Sequence, residues 1–522
     1  MSTQSIYARA AHALAAELGL KTIASAGKDV YLLIIARYLR LFAYGAVALI
    51  IALYFEALGF SDEHIGLFMT LTLLGDVVIS LLLTFLADSL GRRRTLLLGS
   101  LMMAVSGVVF ATTSNYIALL AAAIIGVISP SGNEIGPFRA VEESTLAHLI
   151  PESARPDVFA WYVVLAVMGT STGLLVGGIA VDRFQVIEGW SDVDAYRMIF
   201  WIYSGVACLK ALMTLLLSRE CEQDSENPSQ GEARMQPSDE REPLLNDNGS
   251  TVQRPRSDVQ SPKRRNPFTA ISKPSRWILL KLCSLFFFDS LGSGMVPFSL
   301  VNLYIERKFN LPKNKLGAIM SATWFVSTIG NIFAASLAKR IGLIPAMVAT
   351  HLPSSIFLGL LPVPRTLSWT ICLLVGRACL NSMDQAPRSA FLSLVVLPEE
   401  RTAVMGIVNI LKTLSQSSGP AVTGVLAGHD HFWVAFVSAG SLKAVYDLGL
   451  LAFFPSNLRA PGKTGASEDV QGGRGIGGVS TSPGTETPRD DAESGSSKAT
   501  SADEDDEVVV QALPPSGSSS HG

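Results

Sequence analysis

The chain has 522 residues, of which 49% are hydrophobic and 16% charged, where a soluble protein of ordinary composition carries about 25% charged residues. Its 41 Lys and Arg against 44 Asp and Glu give a net charge of −3, too balanced to supply the basic surface that nucleic acid requires. About half of the charges, 41 of 85, lie in residues 1–32, in Arg219–Arg276 and from Arg459 on, and mean hydropathy is +0.36. A soluble globular protein is excluded on these grounds.

Taken in chain order, residues 1–32 form an N-terminal segment expected to be cytoplasmic, with no clean apolar core of the kind a cleavable signal needs. A spanning helix needs about 20 mostly apolar residues. Runs at 33–55, 65–86, 95–113, 117–140, 157–180 and 197–217 meet that length and make up a first bundle over 33–217. The stretch 218–276 is rich in Ser, Pro, Glu, Asp, Arg and Gln and is expected to be a disordered cytoplasmic linker. Six further runs, at 277–304, 315–338, 342–362, 367–393, 402–427 and 432–454, make up a second bundle over 277–455. The tail 456–522 has the linker's composition and the same expectation. The predicted fold class is all-α integral membrane, with about twelve transmembrane helices in two pseudo-symmetric six-helix bundles.

The second and third runs are joined by Leu86-Ala87-Asp88-Ser89-Leu90-Gly91-Arg92-Arg93-Arg94, a short, basic, turn-forming loop. A second copy, Leu337-Ala338-Lys339-Arg340-Ile341-Gly342, lies 251 residues further on, and the same spacing carries Gly66 onto Gly317. A spacing of 246 carries Gly173 onto Gly419, and Leu209-Lys210-Ala211 is echoed by Leu442-Lys443-Ala444. The chain was therefore built twice from one plan, which is the pattern of a two-fold transporter with its site between the repeats. Basic loops stay in the cytoplasm, so both termini are expected there, in a multi-pass protein of the plasma membrane or a vacuolar or other endomembrane.

The loop around Asp88, Gly91, Arg92 and Arg93 resembles the signature between the second and third helices of the major facilitator superfamily. It departs at Thr84, where the pattern has glycine, and at Ser89, where it has arginine. The resemblance covers about 33–455. It implies that Asp88 gates by contacting the positive side of a neighbouring helix, while Arg92 and Arg93 tie the loop down. Lys339 cannot repeat the Asp88 contact, so the second copy is expected to be a topology anchor. The series Gly169, Gly173 and Gly177 puts small residues on one face of the fifth run, allowing close helix packing. It is similar to a fifth-helix motif of superfamily antiporters, whose proline appears here only in the second half, at Gly419-Pro420.

Charges inside apolar runs are costly unless they face a cavity or a partner. The site candidates are Arg40, Asp76, Glu134, Asp289, Asp384 and Arg388, with Asn133 and Gln385 as neutral hydrogen-bonding neighbours. In the superfamily, helices 1, 4, 7 and 10 line the central cavity, so the resemblance aims Arg40, Glu134, Asp289 and Asp384 inward. Glu134 and Asp289 are expected to take protons or bind substrate, with structural ion pairing to Arg139 or Arg388 as the competing role. Glu142 and Glu143 are expected to be solvated, and Lys443 and Asp447 to pair across one helical turn. The five cysteines lack metal or redox spacing, and His429-Asp430-His431 is expected to be a solvated loop. Glu240-Arg-Glu-Pro-Leu244-Leu245 fits a dileucine sorting pattern, and Asn248-Gly249-Ser250 a glycosylation acceptor that a cytoplasmic linker would leave unused.

The expected function is secondary active transport of a small solute by alternating access, coupled to protons, by a monomer in the lipid bilayer. No cofactor, metal, enzymatic activity or nucleic-acid partner is expected. The alternative is a non-transporting receptor or scaffold with the same fold.

Overall fold

In a computed structural model, the described residues are 20–126, 128, 137–222, 273–381, 383–384, 387–388, 391–392, 395–396 and 400–454. The linker core with its sorting and glycosylation patterns, the tail 456–522, and Asn133, Glu134 and Gln385 lie outside them. So do the side chains of Asp88 and Lys339.

Every regular element among the described residues is helical. After a short turn at Leu20–Ala24, the first half holds α1 (Lys28–Ala57), α2 (Asp62–Leu90), α3 (Arg92–Thr112), α4 (Tyr116–Gly126), α5 (Pro137–Leu149), α6 (Arg155–Gln185) and α7 (Asp192–Leu215). The second holds α8 (Lys273–Met295), α9 (Phe298–Phe309), α10 (Lys313–Ile341), α11 (Leu343–Leu360), α12 (Leu367–Asn381), α13 (Arg401–Gly428) and α14 (Phe432–Phe453). Eight helices among the described residues are long and apolar enough to cross a membrane, and α4 and α12 are shorter apolar helices.

Three predicted spans are interrupted, among them 367–393, whose helix α12 ends at Asn381 before a turn at Met383 and Asp384. The run 117–140 gives α4 and, separately, α5, which starts at Pro137; the run 277–304 breaks before Pro297, which caps α9. Proline lacks the N–H that continues a helix, and broken helices are tolerated at membrane depth where they line a cavity. The two basic loops turn alike: Gly91 has φ +87° and Gly342 φ +95°, a conformation that a Cβ would strain. Arg93 donates to the Leu215 carbonyl at the end of α7, which anchors the first loop.

Within each half, glycines bring helices into backbone contact. A Cβ on Gly169 would lie 2.5 Å from the Tyr38 carbonyl oxygen, on Gly173 2.0 Å from that of Phe42, and on Gly177 2.9 Å from Ala46, so α6 lies flush on α1. In the second half a Cβ on Gly419 would meet Gly294 at 2.2 Å, placing α13 on α8 in the same way.

The core is distributed unevenly along the bundle. At the end carrying the 57–62 turn, one apolar cluster runs through both halves, from Leu49, Tyr54 and Phe110 to Leu300, Leu303 and Phe436. Toward the other end it divides. Leu33, Val141 and Val158 belong to a cluster of the first half alone, and Leu282, Met347 and Leu450 to one of the second.

Candidate functional site

Where the core divides, a cavity of about 390 Å³ opens between the halves. Its wall takes Arg37 from α1, Arg139 from α5, Thr170 from α6, Ser293 from α8, Phe298 from α9, Trp324 from α10, Arg377 and Asn381 from α12, Gln416 from α13 and Lys443 from α14. The polar lining comes from both repeats, and the volume suits a small organic solute.

Behind the wall lie two ion networks, one per half. In the first, Glu142 is 1% exposed and holds three cations: Arg40 at 2.6 Å, Arg37 at 3.5 Å and Lys210 at 3.6 Å. Tyr162 donates to the same carboxylate at 2.8 Å and accepts from Arg37 at 2.6 Å. The Arg37 guanidinium also lies 4.0 Å from the Tyr162 ring centroid, a cation–π contact. In the second, Asp289 accepts from Lys443 at 2.9 Å and Arg388 at 2.8 Å. Arg388 also pairs with Asp384. His351 joins two carboxylates, with Nδ1 2.9 Å from Asp447 and Nε2 3.6 Å from Asp289. Lys443 donates to Ser293 at 2.7 Å, so this lysine belongs both to the wall and to the network behind it.

The two networks occupy corresponding places. Gly45 abuts the Thr170 carbonyl and Gly294 the Gln416 carbonyl. Those pairs fix the register at 249 residues for α1 against α8 and 246 for α6 against α13. The same two spacings carry Arg40 onto Asp289 and Glu142 onto Arg388, and the leucine–lysine–alanine repeat carries Lys210 onto Lys443. The first-helix and fourth-helix partners have thus exchanged charge between the repeats, and each half keeps a lysine from its last helix.

The sequence candidates fall as follows. Arg40, Asp289, Asp384 and Arg388 are in the networks, behind the wall and not part of it, and Asp76 is fully buried on α2. Arg40, Asp289 and Asp384 thus do not take the cavity-lining place that the resemblance implied; of the partners named above, only Lys443, which binds Asp289, reaches the wall. Glu142, expected to be wet, is the buried centre of its network, because α5 turns it toward α1 and α7. Glu143 is partly exposed and pairs with Arg139 at 2.7 Å. Lys443 and Asp447 do not form the intrahelical pair expected of them; each finds a better partner on another helix. His351 carried a readable signal, a histidine inside the apolar run 342–362. Arg377 carried one too, as a cation inside 367–393.

The profile of the Major Facilitator Superfamily matches residues 33–376 and 282–498. The chain is 35% identical over 433 residues to the uncharacterized membrane protein YJR124C of Saccharomyces cerevisiae, covering 82% of this chain and 94% of that protein. It is 28% identical over 139 residues to the arabinose-proton symporter of Bacillus subtilis, covering 26% of this chain and 29% of that one. Its fold is similar to the crystal structures of the nucleoside transporter NupG, with TM-score 0.60 and 14% identity over 82% of this chain and 99% of that chain. The D-xylose-proton symporter gives TM-score 0.60 and 13% identity at the same coverage.

Proposed function

We propose that this chain, which belongs to the major facilitator superfamily, moves a small polar solute by alternating access, drawing on a proton gradient. It is an integral multi-pass membrane transporter and not an enzyme. The observation that carries alternating access is the divided core. Apolar packing joins the halves at one end only, and the polar cavity lies where that packing stops. Such a molecule can rock about a central site and exchange the closed end for the open one. With the termini and basic loops in the cytoplasm, the open end faces inward.

The second network supports proton coupling. His351 stands between two buried carboxylates, an arrangement suited to passing a proton. Lys443 connects that network to the cavity. A solute that draws its ammonium away leaves Asp289 short of a counter-charge, which a proton can replace. Glu134 is proposed as a second proton group, as its place beside Pro137 in the sequence suggests. Asp88, with Gly91, Arg92 and Arg93, is proposed as the gate.

The test uses the full chain in proteoliposomes, with a deproteinised cell extract outside and mass spectrometry of the lumen. At least one solute should accumulate under a pH gradient and be lost on adding a protonophore, and Asp289→Asn should abolish the gradient dependence. No solute entering faster than in protein-free vesicles would sink transport. Accumulation indifferent to the gradient would sink the coupling.

A further inference from the structure

The cavity wall is one-sided in charge. It carries Arg37, Arg139, Arg377 and Lys443, and no Asp or Glu among its described residues. Three of these cations have a carboxylate beside or behind the wall: Arg37 has Glu142, Arg139 has Glu143 and Lys443 has Asp289. Arg377 makes no ion pair and no side-chain hydrogen bond among the described residues, although its backbone is held, its carbonyl accepting from Ser354 at 3.2 Å. A guanidinium at membrane depth without a counter-anion is unfavourable unless the cavity it faces supplies one.

We infer that the counter-anion is the transported solute, and that the cavity takes an organic anion whose carboxylate, sulfonate or phosphate is clasped by Arg377. This rests on the transporter reading above. A guanidinium presents a planar fork that fits such oxyanions with two parallel hydrogen bonds. Asn381, four residues on along α12, faces the same cavity and adds a neutral donor. In the same cavity Trp324 packs edge-on to Phe298 at 5.5 Å, and both line it, a wall for a flat apolar body. A cation is disfavoured beside Arg377, the wall cation with no ion pair among the described residues.

Three probes that share one ring system separate charge from shape: 1-naphthoate, 1-naphthylmethylammonium and 1-naphthalenemethanol, each titrated against the purified full chain in a thermal-shift assay. The carboxylate should raise the melting temperature, and the ammonium should not. Arg377→Gln should weaken the apparent carboxylate affinity about 10- to 100-fold, the value of a charge-assisted pair, and Arg377→Lys should fall between. The unliganded melting temperature of Arg377→Gln should equal or exceed that of the parent, because an uncompensated charge has been removed. A carboxylate response no larger than the alcohol's, or one unchanged in Arg377→Gln, overturns the inference. Uptake of radiolabelled 1-naphthoate into proteoliposomes is the separate arm. Binding without uptake under any gradient leaves the anion site standing and defeats the transporter reading instead.

Discussion

Glu142 shows what a single buried carboxylate does in this protein. It is the acceptor for cations from α1 and α7 and for the Tyr162 hydroxyl on α6, so three helices are oriented around one side chain on α5. Removing one member of a buried ion network is costly because the partners remain charged and dry, about 3–5 kcal/mol for a simple pair. Glu142→Gln is therefore expected to lower the melting temperature of the detergent-solubilised protein sharply. Glu143→Gln, whose pair with Arg139 is partly exposed, is expected to change it little. Comparable losses in the two variants would mean that the Glu142 network contributes no more than a surface pair.

Among the elements, the α1–α6 and α8–α13 contacts depend on missing side chains more than on those present. Gly173 admits the Phe42 carbonyl at a distance no Cβ would tolerate. The proline in α13 extends the same device: Pro420 has no N–H to offer the Gln416 carbonyl four residues back, and that oxygen faces Gly294. Gly173→Val is expected to force α6 off α1 and cost about 1–3 kcal/mol, as overpacking does. Gly205→Val, where a Cβ would meet nothing within 4 Å, is the control. Equal melting temperatures for the two variants would show that the α1–α6 interface yields.

Over the whole molecule, the closed end is held by polar contacts as well as by the shared core. Arg307 on α9 is 32% exposed and binds Glu56 at 2.8 Å and Asp62 at 2.7 Å across the two halves. Nearby, the Lys313 backbone N–H donates to Asp182 at 2.8 Å. Inside this seam the Ser299 and Asn302 side chains both donate to the Ala48 carbonyl, and Gly66 meets Gly424 as Gly178 meets Gly317. Exposed pairs of this kind are worth about 0–1 kcal/mol each, enough to bias a two-state equilibrium without locking it. Arg307→Ala is expected to raise the labelling rate of a cysteine at Ser299, in a background free of other cysteines, about 2- to 5-fold with an impermeant maleimide. An unchanged rate would show that the shared apolar core alone keeps that end shut.

Much of this was legible in the sequence. Run length and composition predicted twelve segments, because a bilayer imposes one length on every span, and the repeated loop and glycine spacings predicted the two-fold plan. Gly169, Gly173, Gly177 and Gly419 were legible as packing positions, since a side chain's absence has local meaning. Among the partners of the buried charges, Arg388 was legible for Asp289, and the others were not. Arg40, Asp289 and Asp384 were recognisable as buried ions, yet which side of the wall each occupies depends on how helices far apart in the chain rotate against one another. The sequence by itself determined an all-helical, internally repeated membrane transporter of known superfamily. Only the tertiary structure decided that Glu142 is dry, that the two halves carry the same pair with its charges exchanged, and that Arg377 faces the cavity without a carboxylate among the described residues. Apart from the pairs four residues apart, Asp384–Arg388 and Arg139–Glu143, these ion pairs join distant segments, and spacing along the chain does not encode them.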